Sequence, residues 1–286
     1  HQQLADASPE VGVLDESALA GALDDDPDAA LGMLMDMTRA TDTRLRAQAR
    51  AAASRLLLPM SRRAGSPHPG GSSRLTTVAE DGLDLDTDAT LERLAEHPWL
   101  QVDDLRWRGW RRPSSAYVLL VDASGSVTGQ PLATAVVTAA ALAMRLRPGD
   151  ELAVVAFWSR AVVLRDIRSL DPAGGVLDAL FDLRGGDTTD LALGLRTALG
   201  QAGLARSAHR DVLVLTDGMS NEGQDPLSVA AAGGAAGARV HVLALAAEDD
   251  AVAACARLAD AGGGRMASLA GPSGAPAAVA EVLAGP

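Results

Sequence analysis

The second half of the chain alternates short apolar runs with longer helical stretches. Tyr117-Val118-Leu119-Leu120-Val121 runs into Asp122, and Val212-Leu213-Val214-Leu215-Thr216 runs into Asp217. Runs of this length, bounded by turn residues, predict strands buried on both faces of a parallel sheet. Strands are predicted over 116–121, 151–157, 212–216, 240–246 and 265–269. Helices are predicted over 131–146, 172–183, 191–202, 225–236, 251–261 and 275–283. The 131–146 helix carries almost no charge, so much of its surface should be buried. This alternation predicts an α/β fold: a doubly wound, mostly parallel, Rossmann-like sheet with right-handed crossovers.

The first half reads differently. Residues 14–60 are predicted helical, with Asp15-Glu16-Ser17 opening one segment. Asp24-Asp25-Asp26-Pro27 ends it and starts the next, a solvated capping turn rather than a ligand cluster. Met33, Met35 and Met37 are spaced by two, so they cannot share one helical face and should pack within a small bundle. A long Arg/Ala-rich helix is predicted over 41–58, stopped at Pro59. Residues 61–74, rich in Gly, Ser, Pro and Arg, read as a linker or loop.

Asp84, Asp86 and Asp88 have the spacing that starts an EF-hand loop. Ala89 stands where that loop requires Gly, however, and Ala95 where it requires the bidentate Glu. A short strand and a capped helix over 89–96, ending before Pro98, is the reading preferred. Arg106-Trp107-Arg108-Gly109-Trp110-Arg111-Arg112 is the one basic, aromatic patch. Stacking on nucleic acid is one reading. The preferred one has the Trp bodies covering the lower edge of the sheet while the Arg residues pair with acids. The organisation expected is a helical region (1–60), a linker with a small strand/helix extension packing on the next domain (61–112), and the α/β domain (113–286).

Composition narrows the chemistry. Hydrophobic residues are 48% of the 286 and aromatics only 2%, so the core must be built from Ala, Val and Leu. A formal net charge of −12 argues against nonspecific nucleic-acid binding and against an anionic membrane surface. All 25 basic residues are Arg. Without lysine there is no Walker A lysine and no Schiff-base lysine, so any ATP hydrolysis belongs to another chain. Cys255 is the sole cysteine and reads as a small core residue on a helix. No signal peptide is visible, and the apolar stretch 132–144 is too short to span a bilayer. A soluble, cytoplasmic protein is expected.

Three separated pieces converge on one rim of the predicted sheet: Asp122-Ala123-Ser124-Gly125-Ser126, Thr188-Thr189-Asp190, and Asp217-Gly218. In such sheets ligands sit beyond the carboxyl ends of the strands, near the topological switch point. Hydroxyls and carboxylates with no thiol or imidazole among them form a hard-oxygen site suited to Mg²⁺ or Mn²⁺. Gly125 supplies the freedom that the tight turn between Ser124 and Ser126 needs. A metal-dependent phosphoesterase is the competing reading. No histidine lies near the three pieces, since His209 and His241 sit at strand starts at the far end. A metal-free scaffold is a third reading, opposed by the intact set of oxygens.

D-x-S-x-S, a Thr in a Gly-rich loop, and T-D-G, in that order, resemble the von Willebrand factor A domain with its metal-ion-dependent adhesion site. The resemblance covers roughly 113–286. It implies that Ser124, Ser126 and Thr189 are direct or near-direct ligands, while Asp122 and Asp217 act directly or through water. Thr189-Asp190-Leu191 matches the family's T-D-L pattern, and the extra Asp187-Thr188 leaves the register open by one residue. Residues 161–165 resemble the antiparallel edge strand of such sheets. A cation held mainly by neutral hydroxyls keeps its Lewis acidity and attracts an acidic side chain of a partner protein. The helical first region and the Leu83–Glu92 segment make the chain similar to bacterial CoxE-like, MoxR-associated proteins of this family. That implies a non-enzymatic adaptor of a MoxR-type AAA+ ATPase, in a chaperone-like or metallocentre-maturation role. Alternatives are a magnesium-chelatase-like subunit, whose AAA-like half is absent here, and an adhesion-type ligand-binding protein.

Overall fold

The computed structural model describes residues 14–63, 74–78, 84–96, 99, 101–111, 113–125, 128–170, 174–245 and 248–284. Two helices begin where the acids predict. In α1 (Glu16–Asp25), the Asp15 carboxylate accepts from the Ser17 and Ala18 amides. In α2 (Pro27–Met37), Asp26 accepts from Ala29 and Pro27 takes the first turn, so the acid run is a capping turn. Met35 and Met37 are buried and Met33 packs half-buried against the same core. The third helix, α3 (Thr43–Arg63), runs on past Pro59, where the sequence rule would stop it. A proline removes the donor for the carbonyl four residues back. Here that residue is the exposed Arg55, whose carbonyl water can serve.

Residues 68–114 cluster as a unit of their own. It holds β1 (Arg74–Val78), β2 (Asp84–Leu85), α4 (Thr87–Glu96) and β3 (Trp107–Arg111), with antiparallel strand order β1-β3-β2. Neither β1 nor β3 is legible as a strand in the sequence. Arg-Leu-Thr-Thr-Val and Trp-Arg-Gly-Trp-Arg lack an apolar run, and it is their pairing, with Leu75 opposite Trp110 and Thr77 opposite Arg108, that makes them strands. The Asp86 carboxylate serves α4 rather than an ion. It accepts from the Thr77 hydroxyl (2.6 Å) and the Ala89 amide (3.3 Å), and the Thr77 bond first, then Ala89, holds it below the usual range. Arg108 reaches Asp86 and Asp88, as an acid-paired arginine should. Trp110 stays 62% exposed.

Residues 1–67 and 115–286 form the other unit. After the N-terminal helices it runs β4 (Ser115–Asp122), α5 (Gly129–Arg145), β5 (Glu151–Phe157), β6 (Ala161–Arg165), α6 (Gly174–Phe181), α7 (Leu191–Leu204) and β7 (His209–Thr216). It closes with α8 (Pro226–Ala235), β8 (Ala238–Ala244), α9 (Asp249–Ala261), β9 (Gly263–Ser268) and α10 (Ala275–Leu283). The sheet order is β6-β5-β4-β7-β8-β9, parallel throughout except for the antiparallel edge β6. This is the predicted doubly wound fold. Its chain order reverses between β4 and β7, which is where such sheets open a crevice.

Side chains of β4 alternate between two cores, as a pleated strand dictates. Leu119 and Val121 join α5, α6 and α10, while Ala116, Val118 and Leu120 join α7 and α9. α5 is buried at every position from Leu132 to Leu142. The sequence predicts that burial, and the structure names what covers it: α2 and α3 pack on α5. Contact is close at the helix start, where a Cβ on Gly32 would lie 3.1 Å from the Gln130 amide nitrogen. Among the described residues no helix is long and apolar enough to cross a membrane.

β7 and β8 both start earlier than predicted, so His241 lies inside a strand rather than at its start. It is 2% exposed; its Nδ1 accepts from the Arg265 amide, so Nε2 carries the proton and faces Asp211 Oδ1 at 3.2 Å. Arg239 donates to the same oxygen at 2.8 Å. Burial opposes the Asp211 charge, but His241 and Arg239 outweigh it and hold the carboxyl below its ordinary 3.8. Asp211→Ala should destabilise the fold by about 2 kcal/mol, measured by urea unfolding at neutral pH. Because the folded pKa is depressed, this stabilisation is present above the unfolded value and lost as pH falls through the folded one. The gap between wild type and variant should therefore narrow below about pH 4. A gap that holds constant down to pH 2 would contradict the assignment.

Candidate metal centre

Asp122 ends β4 on the carboxyl side of the switch point. Its Oδ1 accepts from the Ser124 amide at 2.9 Å, and its Oδ2 accepts from the Thr216 hydroxyl at 2.8 Å. Thr216 is the last residue of β7, so these side chains join the two strands that flank the reversal. Burial pushes the Asp122 carboxyl above its usual range. The Ser124 amide and hydroxyl and the Thr216 hydroxyl act the other way, and the Asp217 charge pushes it up further. Two carboxylates at one rim, one of them half-buried, form an environment that a cation relieves.

Beyond Asp122 the backbone is fastened to its neighbours. The Ala123 amide donates to the Phe157 carbonyl at 2.7 Å. Gly125 donates to the Gly186 carbonyl at 2.7 Å, and Gly186 returns a bond to the Ala123 carbonyl at 3.2 Å. Gly125 has φ +69°, so the turn uses the left-handed region that glycine enters freely. At Gly186 a Cβ would sit 2.3 Å from Trp158 Cδ1, so only glycine lets the second loop lie against that indole. Ser126, the remaining D-x-S-x-S hydroxyl, lies outside the described residues.

Thr189 is 5% exposed, whereas Thr188 is half-buried. The Thr189 carbonyl accepts from the amides of Asn221 (3.0 Å) and Glu222 (3.2 Å) and from the Ser220 hydroxyl (3.3 Å). Its own hydroxyl has no hydrogen-bond partner among the described residues. Asp190 next door is committed elsewhere, capping α7 through the Leu193 amide at 2.8 Å. A Cβ on Gly223 would come within 2.2 Å of the Asp190 carboxylate, so the third loop also packs directly on the second.

Asp217 is exposed, and its Oδ1 accepts from the Met219 amide at 2.9 Å. Gly218, at φ +81°, lies over Cys255, where a Cβ would meet the sulfur at 2.7 Å. Burial, with a smaller contribution from Asp217, pushes the Cys255 thiol up to about 11. That thiol is an inert core group, as the sequence suggests.

The structure thus brings Asp122, Ser124, Thr189 and Asp217 to one rim on three loops stitched together by backbone hydrogen bonds. Thr216 enters the sequence reading only as the first residue of T-D-G, and its bond to Asp122 is what the structure adds. Its signal is a lone hydroxyl at the end of an apolar run, next to Asp217. Among the described residues no three His, Cys, Asp or Glu side chains cluster as a metal site. A cation at this rim would depend on hydroxyls plus two acids, and Mg²⁺ and Mn²⁺ accept such hard oxygen donors.

Comparison with known proteins places this geometry in a family. The von Willebrand factor type A domain model matches residues 118–269. An uncharacterised protein of Synechocystis sp. is 30% identical over 108 residues, which are 37% of this chain and 26% of that relative; the chain thus spans about a quarter of that relative's length. An aerotolerance-related membrane protein from Bacteroides fragilis is 18% identical over 59% of this chain and 98% of its own, at a TM-score of 0.49. Manganese-loaded TRAP protein from Plasmodium vivax is 19% identical over 52% of this chain and 63% of its own, at a TM-score of 0.43. With the family model matching more than half of its length, the chain belongs to the von Willebrand factor type A domain family, a family of metal-dependent protein-interaction modules.

Proposed function

We propose that the chain binds one divalent cation, Mg²⁺ or Mn²⁺, through Asp122, Ser124, Ser126, Thr189 and Asp217, and that it uses the site to dock a partner protein. The observation that carries this reading is the gathering of oxygen side chains from Asp122, Ser124, Thr189 and Asp217 on three loops fastened to one another by backbone hydrogen bonds, with the Thr189 hydroxyl bonded to no other described residue. Ser124, Ser126 and Thr189 would give neutral oxygens, and Asp122 and Asp217 would give charge, directly or through water. When bound, such a cation offers a coordination position that attracts a carboxylate of another protein. Thr216 and the Ser124 amide orient Asp122 for that role.

The partner proposed is a MoxR-type AAA+ ATPase in a cytoplasmic, chaperone-like or metallocentre-maturation system, with residues 1–112 giving a second contact. The chain's lack of lysine supports an ATPase on a separate polypeptide. No catalytic role is assigned to the chain itself. His241 is engaged by Asp211 and Arg265, and His209 begins β7 at the end opposite Asp217. Among the described residues, therefore, no imidazole is available at the rim as a base.

Manganese EPR or calorimetry should find one Mn²⁺ per chain, and Ser124→Ala/Ser126→Ala should weaken binding by about tenfold or more. Equal affinity in the two proteins would remove the assignment. Thr216→Val, which keeps the shape but loses the bond to Asp122, should lower metal-free stability by about 1–3 kcal/mol in urea unfolding. Capture of the AAA+ partner from bacterial extract should depend on Mg²⁺, vanish with EDTA, and be lost in Asp122→Ala with the circular dichroism spectrum retained. Association that is indifferent to EDTA would exclude metal-mediated docking.

A further inference from the structure

The N-terminal helices reach the roots of two of the three loops. At the first, Asp36 on α2 accepts from the Gly129 amide through Oδ1 at 2.8 Å. Gly129 starts α5, five residues after Ser124, and holds φ +56°. A Cβ there would stand 3.7 Å from the other Asp36 oxygen. At the second, Arg39, just past the end of α2, donates Nε–H to the Phe181 carbonyl at 3.1 Å and its guanidinium also bonds the Leu183 carbonyl. Arg50 on α3 meets Asp182 at 2.5 Å, with its guanidinium 5.4 Å over the Phe181 ring. Leu183 is three residues from Gly186, the glycine that exchanges backbone bonds with Ala123 and Gly125. One helical layer therefore holds the start of α5, downstream of Ser124, and the Phe181–Leu183 segment, upstream of Gly186.

We infer that Asp36 is a positioning residue for the cation site, fixing the start of α5 so that the loop carrying Ser124 is presented against Gly186. The inference rests on the metal reading above. Asp36 is itself exposed, so its truncation removes no core packing, and what it contributes is the hydrogen bond that fixes Gly129. A side chain that orients ligands without touching the ion typically changes affinity by about 10–100-fold, and Asp36, one step further removed, should lie near the lower end. Coupling is reciprocal, so a cation at the rim should also tighten α2 and α3.

The test is Mn²⁺ affinity by EPR on the full chain for wild type, Asp36→Ala, Asp36→Asn and a control, Asp15→Ala, which loses the α1 cap and no bond to the rim loops. Asp36→Ala should bind about tenfold more weakly. Asp36→Asn, whose amide oxygen still accepts from Gly129, should recover most of that loss, and the control should match wild type. Hydrogen exchange in α2 should slow on adding Mn²⁺ to wild type and not to Asp36→Ala. If wild type binds and Asp36→Ala binds equally well, the positioning role is overturned while the metal site stands. If Asp36→Asn binds as weakly as Asp36→Ala, the hydrogen bond is not the cause and the inference falls. Wild type that binds no Mn²⁺ overturns the metal reading and this inference together.

Discussion

The hydrogen bond from Thr216 to Asp122 spans the line along which the sheet reverses its winding. β4 and β7 are neighbours in the ladder, yet their crossovers leave in opposite directions, so the chain does not cover their carboxyl ends. A carboxylate placed there is half-withdrawn from water without being closed in. Thr216 and the Ser124 amide satisfy it from the sides, which leaves its remaining capacity directed at the rim. Everything else at the site is arranged around that one fixed acid, including Gly186 holding Ala123 and Gly125, and Thr189 holding Asn221 and Glu222.

The central sheet was legible because its strands are buried on both faces and so read as unbroken apolar runs. Val118–Val121 and Val212–Leu215 could hardly be anything else. Strands that are not buried in this way gave no such signal. Arg74–Val78 and Trp107–Arg111 exist because they pair with each other across thirty or so residues, a long-range fact with no local pattern. Helix α3 shows the opposite error, since the chain stays helical past Pro59, where a strong local rule would stop it.

The rim residues were legible for a different reason: each sits at the end of a readable strand or in a glycine-rich loop, so the strands deliver them. The role of Thr216 within T-D-G was not, because a threonine ending an apolar run looks like an ordinary β-former until its hydroxyl is seen to face Asp122. The link between Asp36 and Gly129 was not legible either. The charge-free α5 announces that something covers it, but periodicity shows only that a face is apolar and never which element lies against it.

The helical layer also bears on how the chain comes to be folded. Asp36 meets Gly129 across 93 positions, and Asp28 accepts from the Ser273 amide across 245. Synthesised from the amino end, α2 and α3 carry their apolar faces out of the ribosome well before α5 exists, and a separate 47-residue unit (68–114) must be made in between. Their last fastening waits for the segment between β9 and α10. Contacts of this sequence separation are slow to close and leave apolar surface unmatched in the interval. The layer that packs on α5 is thus made ahead of the segments it packs against, and its apolar faces stay unmatched until they follow.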